Sequence, residues 1–539
     1  VFPALPFVSI VHKGAGDLSN SHIDVNFDRD TYGLTDLTID PEEAEVTVNT
    51  GEELAVRTED DPLDVPTDAD TDVIADDVTV TLSRVTHFHV NGGSPELPAD
   101  TPTDPAAENL VGDRLNVDVL RAEGSINIFS DLEDAPNVAI TSTDSLGTTQ
   151  PTTYNNVEIT VLDPGDLSKT VNIIGDNNDF GAVDQDDEIL VVGGDIDQLL
   201  GVSQSDGDGV NEFTLLLNGS NPIQVYNTQF LNIDAREGDD DITIEPYAND
   251  LIGGWDIDPV VDGGAGDDDL IYGNVERDAA VQPGMQFTDD TPDGSVSGVS
   301  ENVTIAPTGV GSGQVRSINA SDASNIATID FTTVEDISVL FNDGTAGDSD
   351  SLTILGTAAA DTVEVDLTNA GNDAAPLVNI DGVVQVENFQ VATAQTRGHA
   401  DLLPTLAELA AVTIATGWGD DTVEVVGRND GATTLTIDGG APDASDTLAL
   451  DATTGNDTYV ITPGAHDNSG TVEVALNGAL AATKINFSGK EAITVGLLGL
   501  DLNSGDGGTD QLTAVGEGGS DAITVSAMTD TAATITVNS

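Results

Sequence analysis

Residues 349–365 read SDSLTILGTAAADTVEV, and the same pattern returns as SDTLALDATTGNDTYVI at 445–461 and as TDQLTAVGEGGSDAITV at 509–525. Each copy contains two aspartates 11 positions apart (361 − 350 in the first copy), and an apolar residue follows two positions after each aspartate. A pattern that recurs at long intervals is typical of repeat architectures. The aspartates of the three copies are Asp350, Asp361, Asp446, Asp457, Asp510 and Asp521.

The segments around these aspartates alternate between apolar and polar residues. VTVTL (78–82), VEITV (157–161) and TVEVV (422–426) are examples, and clusters of Gly, Asp and Asn separate such runs. Alternation with a period of two indicates strands, and the clusters indicate turns. The sequence therefore predicts an all-β protein.

A second element precedes two of the copies. IDFTTVEDISV (329–339) and INFSGKEAITV (485–495) share Ile-x-Phe, three further residues and then Glu-x-Ile-x-Val. For residues 171–539 we predict a parallel β-helix or β-roll, because short strands with few aromatics suit stacked coils. Tandem β-sandwich modules are the alternative that this pattern leaves open.

Four regions follow from this reading. Residues 1–170 form an N-terminal β-sandwich-like region with a Pro/Asp-rich loop at 92–106, and the first Asp/Gly repeat region covers 171–340. The second repeat module covers 341–436, and the third and a partial fourth cover 437–539. Candidate strands of the first region are 23–27, 44–48, 78–90, 115–119, 125–129 and 157–161. ADLLPTLAELAAV (400–412) predicts the one helix, because Ala, Leu and Glu favour helix.

Charge restricts the partners of this chain. It has 539 residues, 97 acidic against 14 basic, and a formal net charge of −83. Nucleic acids and anionic membranes would repel such a chain. Neutralising cations are expected instead, either calcium outside cells or the molar salt around a halophile, and the clustering of Asp beside Gly favours calcium. No cysteine is present, and no apolar run reaches the ~18–20 residues of a membrane span.

The sharpest motif is GGAGDDDLI at 263–271. It resembles the nonapeptide of the RTX calcium-binding repeats, Gly-Gly-x-Gly-x-Asp-x-aliphatic-x, found in large secreted bacterial surface proteins. GWGDDTV (417–423) and EGDDDI (237–242) are weaker copies. Unlike RTX tandem arrays, the first and third of these motifs are not contiguous in sequence, since Asp240 and Asp268 are 28 residues apart (268 − 240).

The resemblance implies calcium held by glycine carbonyls and aspartate carboxylates, which are the hard oxygen ligands that Ca²⁺ prefers. Candidates for metal binding come from the three RTX-like motifs and from the repeated aspartates of the first paragraph. They are Gly263, Gly264, Gly266, Asp268, Gly238, Asp240, Gly417, Gly419, Asp421, Asp350, Asp361, Asp446, Asp457, Asp510 and Asp521.

The expected function is structural. The chain carries none of the common catalytic motifs, so we expect no enzyme but a secreted, calcium-binding subunit of an S-layer, sheath or filament. A calcium-stabilised adhesin stalk or binding module, with a possible glycan ligand, is the alternative; a β-helix polysaccharide-active enzyme is less favoured. The opening VFPALPFVSIV (1–11) is apolar, and its second half, PFVSIV, reads as a strand with no nearby partner, so strand addition between copies is expected to build a homopolymer. The alternative is that residues 1–11 fold back as an internal edge strand.

Overall fold

The computed structural model describes a set of β-strands and the short segments that connect some of them. No helix occurs among the described residues, and in that part of the chain nothing could cross a membrane as a helix. The described connecting residues are 169, 175, 186–187, 211–212, 218, 228–229, 235–240, 246, 257, 263–268, 310–311, 333–335, 356–361, 416–421, 439–440, 446, 464, 468–469 and 489–490.

The chain forms two compact units, residues 1–266 with 279–292 and residues 267–278 with 293–539. The strands of the first unit are β1 (Phe7–Val11), β2 (His22–Phe27), β3 (Asp36–Asp40), β4 (Ala44–Thr50), β5 (Ala55–Thr58), β6 (Asp77–Leu82), β7 (Val85–Asn91), β8 (Arg114–Asp118), β9 (Ala122–Asp131), β10 (Asn137–Asp144), β11 (Thr149–Asn155), β12 (Ile159–Asp163), β13 (Thr170–Ile174), β14 (Glu188–Gly193), β15 (Phe213–Leu217), β16 (Ile223–Val225), β17 (Phe230–Asp234), β18 (Asp241–Glu245) and β19 (Asp258–Asp262).

The strands of the second unit are β20 (Asp269–Gly273), β21 (Glu301–Gly309), β22 (Ser312–Asn319), β23 (Ile326–Thr332), β24 (Asp336–Asn342), β25 (Asp350–Leu355), β26 (Thr362–Leu367), β27 (Leu377–Ile380), β28 (Val384–Ala392), β29 (Leu409–Ala415), β30 (Thr422–Gly427), β31 (Thr434–Asp438), β32 (Thr447–Asp451), β33 (Thr458–Pro463), β34 (Gly470–Ala475), β35 (Thr483–Ser488), β36 (Ala492–Gly496), β37 (Gln511–Ala514), β38 (Ala522–Thr529) and β39 (Ala532–Asn538).

In the second unit the chain alternates between two sheets. Strands β25, β29, β31 and β35 pair in parallel in one sheet, called sheet B here. The strands that follow them, β26, β30, β32 and β36, pair in parallel in the other, called sheet A. One sheet-B strand, the turn after it and the next sheet-A strand are called a coil below. Equivalent residues of successive coils therefore lie side by side.

The first unit contains the same parallel pattern. Strands β13, β17 and β19 pair in parallel in sheet B, and β14 pairs in parallel with β18 in sheet A. Antiparallel strands interrupt the pattern in both units, for example β15 between β14 and β16 and β22 between β21 and β23. The all-β prediction is confirmed, in the form of large mixed sheets.

The core consists of columns of aliphatic side chains that run across the parallel strands. Leu352, Val412, Leu435 and Ile485 are in register across sheet B, and all four are buried. Burial of each such side chain contributes about 1.5–3 kcal/mol relative to exposure. The alternation of the sequence places these residues on one face, and the polar residues between them fall on the other.

Six predicted strands of the N-terminal region are confirmed, the longest as two strands, β6 and β7. The predicted helix is wrong over residues 409–412, which belong to β29 and pair with β25, so sheet packing overrides helix propensity there. The remaining residues of that segment, 400–408, lie outside the described residues, as does the loop 92–106. The expectation that the first strand lacks a partner is also wrong, because β1 pairs in parallel with β3.

Candidate functional site

The aspartates of the repeated element lie at the ends of the turns that join sheet B to sheet A. Asp361, Asp421 and Asp446 directly precede β26, β30 and β32. Their exposed fractions are 4%, 0% and 0%. Buried carboxylates are rare and need strong partners, so these three residues mark the most unusual environment of the second unit.

The three aspartates form a hydrogen-bonded column that we call the aspartate ladder. The N–H of Asp361 donates to Oδ1 of Asp421 over 2.8 Å, and the N–H of Asp421 donates to Oδ1 of Asp446 over 2.8 Å. Each bond joins one coil to the next. Because the acceptor is a carboxylate, each bond is stronger than a neutral backbone hydrogen bond.

Related bonds occur elsewhere in the chain. In the first unit the N–H of Asp187 donates to Oδ1 of Asp240 over 2.7 Å, and the side-chain amide of Asn218 donates to Oδ1 of Asp187. In the second unit the N–H of Asp268 donates to Oε2 of Glu335 over 3.1 Å. A carboxylate of one coil thus accepts the N–H that precedes the sheet-A strand of its neighbour.

A lysine adjoins the last aspartate of the ladder. Lys490 is only 3% exposed, although lysine is almost never fully buried without a charged partner. Burial raises the pKa of Asp446 above its ordinary value of 3.8. Its hydrogen bond from Asp421 and the charge of Lys490 act in the opposite direction, while the charges of Asp421 and Asp420 raise the pKa further.

Close packing around the ladder explains one glycine in each of two turns, those before β26 and β32. A Cβ on Gly439 would lie 2.8 Å from Oδ2 of Asp446 and would also meet the carbonyl oxygen of Gly489. Gly356 stands in the same relation to Asp361, with 2.6 Å to Oδ2. The turn therefore needs glycine here because the carboxylate and the neighbouring coil leave no room for a side chain.

Two of the RTX-like turns are stacked on one another. The N–H of Ala265 donates to the carbonyl of Arg236 over 2.7 Å, and the N–H of Gly238 donates to the carbonyl of Ala265 over 3.1 Å. The turns at 236–238 and 264–266 are therefore neighbours in space, despite their separation in sequence. Four candidate glycines have positive φ, namely Gly238, Gly264, Gly417 and Gly419.

The predicted metal ligands divide into three groups. Asp240, Asp268, Asp361, Asp421 and Asp446 are buried, and hydrogen bonds to the carboxylates of Asp240, Asp361, Asp421 and Asp446 hold the turns. Asp350 begins β25. Asp457, Asp510 and Asp521 lie outside the described residues. Within the described parts of the chain, no three or more His, Cys, Asp or Glu side chains form a group that could hold a metal ion.

Exposed carboxylates accompany the buried ones. Asp186, Asp239 and Asp420 each precede a buried aspartate and are themselves exposed, and the N–H of Asp239 donates to Oδ1 of Asp186 over 3.2 Å. The turns thus present one carboxylate inward and one outward. The outward oxygens and the turn carbonyls are those that a cation from solvent could reach.

Three residues that interact with the buried aspartates were not predicted from the sequence, namely Asn218, Glu335 and Lys490. The spacing Glu-x-Ile-x-Val, which the two copies of the second element share, was the available signal for Glu335, since Glu335 occupies the register position that precedes β24. Lys490 occupies the position that Val334 has in the other copy of this element, and Val334 is 0% exposed. That replacement was visible in the sequence, but its burial was not.

No family model matches the chain, and no curated protein matches it.

Proposed function

We propose that this chain is a structural, non-catalytic repeat protein of an extracellular or cell-surface assembly, such as an S-layer, a sheath or a filament. The observation that carries the proposal is the aspartate ladder, in which buried acidic side chains are used to bind coil to coil. The close packing of glycines against the ladder, and the position of its aspartates directly before the sheet-A strands, also favour contact between neighbouring coils. A scaffold requires this kind of repeated internal bonding.

The architecture that we propose for the repeat region is a parallel β-helix or β-roll. Its support is the alternation of sheet-B and sheet-A strands along the chain, with parallel pairing of β29 to β31 and of β30 to β32. Tandem sandwiches usually pair sequential strands in antiparallel fashion. The antiparallel strand β15 supports the proposal, because it pairs with β14 and β16, which themselves pair in parallel with β18 and β12.

We also propose that calcium stabilises the turns, with ligands drawn from turn carbonyls and outward carboxylates such as Asp239 and Asp420. The net charge of −83 supplies the physical reason, because mutual repulsion opposes folding unless cations reduce it. Asp421 adds a local reason. Among the described residues its Oδ2 is buried without a hydrogen-bond partner, and a nearby cation would compensate such a buried oxygen.

Thermal unfolding of the full chain, with and without a chelator, tests the calcium proposal. A ligand that binds only the folded state adds about 2.7 kcal/mol at 100 times its Kd, so chelation should lower Tm and added calcium should restore it. Magnesium at equal concentration is the control. If a chelator leaves Tm unchanged while molar KCl raises it strongly, calcium is not the stabilising cation and the halophile explanation replaces it.

Electron microscopy of the purified chain tests the assembly proposal. Calcium should convert monomers into a regular lattice or fibre, because it screens the acidic surfaces that must come together. Single particles under all calcium concentrations, together with binding to a glycan array, would instead support the adhesin-stalk alternative.

A further inference from the structure

An exposed tryptophan lies on the turn that carries the middle aspartate of the ladder. Trp418 is 68% exposed and lies between β29 and β30, three residues before Asp421. A tryptophan side chain is large and mostly apolar, so leaving it in water forgoes one of the largest burial energies available to any residue. Retention of an indole in such a position is a common feature of binding surfaces.

The turn holds this indole outward by its backbone. Gly417 and Gly419 flank Trp418 with φ of +89° and +153°, which L side chains rarely adopt. A Cβ on Gly417 would lie 3.3 Å from the carbonyl oxygen of Thr357, and one on Gly419 would lie 2.8 Å from Cα of Ala360. The turn is therefore packed against the preceding coil, and Trp418 projects from a rigid base.

The surroundings of Trp418 select a positively charged occupant. The preceding turn presents the exposed residues Ala358, Ala359 and Ala360, which leave the indole uncovered. Asp420 is exposed two residues further on, and neither turn contains a basic residue. An open indole attracts a cation through its ring quadrupole, and the nearby carboxylate adds a direct charge attraction.

The exposed carboxylate of Asp420 and the absence of basic residues from both turns favour an occupant that brings positive charge. Arginine suits the site better than lysine, because its planar guanidinium stacks on an aromatic ring while donating to a carboxylate. We propose that Trp418, with Asp420, is the anchor of a docking site for an arginine-bearing segment of a basic protein partner. Asp420 is shared with the calcium-binding role proposed above, whereas Trp418 takes no part in that role, so the binding test below is made with a chelator present.

The test uses the full chain with Trp255 replaced by Phe, which leaves Trp418 as the only tryptophan. A short oligo-arginine peptide is titrated at moderate salt while indole fluorescence is recorded. We expect saturable quenching, and weaker quenching with an oligo-lysine peptide of equal length. In the otherwise unchanged chain, calorimetry should show that Trp418→Ala weakens arginine-peptide binding about 2- to 30-fold, the range expected from one cation–π contact.

Val310→Ala is the matched control. Val310 is 77% exposed on the hairpin between β21 and β22, so its truncation removes apolar surface without a cation site and should leave binding unchanged. Circular dichroism should show that both variants fold as the parent does. Equal affinity of the parent and Trp418→Ala would overturn the proposal. So would tight, Trp418-dependent binding of a neutral oligosaccharide in place of the arginine peptide.

Discussion

The backbone N–H of Asp361 donates a 2.8 Å hydrogen bond to Oδ1 of Asp421, although the two residues are 60 positions apart. The same Asp421 then donates its own N–H to Asp446. In three successive coils an aspartate at the same position thus bonds each coil to the next, and Asp421 serves both as acceptor and as donor.

Loss of the Asp421 carboxylate should destabilise the second unit. Asp421→Ala leaves the buried N–H of Asp361 without its acceptor, which costs about 1–3 kcal/mol, and Asp421→Asn should cost less because it keeps an oxygen there. Urea unfolding of the full chain measures both. With a chelator present, so that no calcium contributes, Asp420→Ala at the exposed neighbour is the control and should change stability little. Equal effects at 420 and 421 would show that the ladder is not stabilising.

Replacement of the buried lysine should be harmful even though a valine occupies the equivalent position of the other element. Lys490→Val removes a positive charge that lowers the pKa of Asp446, so the carboxylate becomes more costly to keep ionised. We expect a loss of about 3–5 kcal/mol at neutral pH, because removal of one partner leaves the other buried charge uncompensated. Lys484→Val, at an exposed position of β35, provides the comparison. A more stable Lys490→Val chain would contradict the expected role.

The pH dependence of stability should carry a specific contribution from Asp446. Its pKa is raised in the folded state above the ordinary value of 3.8, so the folded chain binds this proton more tightly than the unfolded chain. The contribution of Asp446 to folding stability is therefore most favourable below pH 3.8, its ordinary pKa, and is lost as pH rises through the folded-state pKa. Asp446→Asn should remove that decline. Unfolding free energies of parent and variant from acid to neutral pH measure it, and parallel curves would exclude it.

The glycine that faces the ladder should not tolerate a methyl group. Gly439→Ala would place Cβ 2.8 Å from Oδ2 of Asp446 and against the carbonyl of Gly489, and overpacking of this kind costs about 1–3 kcal/mol. Gly309→Ala is the matched change, since its Cβ would meet only Oγ of Ser312 at 3.2 Å. A thermal shift confined to Gly439→Ala supports the packing; equal shifts would contradict it.

Much of the local structure was predictable because it depends on neighbours in sequence. The alternation in TVEVV (422–426) predicts β30, and its burial pattern follows, with Val423 and Val425 inside. The aspartate before it marks the start of the strand correctly. The segment 400–412 was read as a helix because Ala, Leu and Glu favour helix locally, whereas residues 409–412 gain more by pairing with β25.

The candidate site was less predictable because its bonds are long-range. Nothing within a few residues of Asp421 shows that Asp361 will donate to it, since that contact depends on which coils become neighbours. A Gly/Asp turn that resembles a calcium loop and one that supports the aspartate ladder have the same sequence pattern. Only burial, 0% exposure at Asp421, shows that this carboxylate points inward.

The ladder also bears on how such a chain can change in length. Its bonds run from one coil only to the next, always from N–H to carboxylate in the same direction. Duplication of a whole coil would therefore insert one more donor and one more acceptor and leave every existing bond intact, whereas a partial duplication would leave a buried N–H unmatched. Recombination in whole coils is the evolutionary step that this geometry tolerates, and the uneven spacing of the repeats along the chain is compatible with it because insertions outside the coil do not enter the ladder.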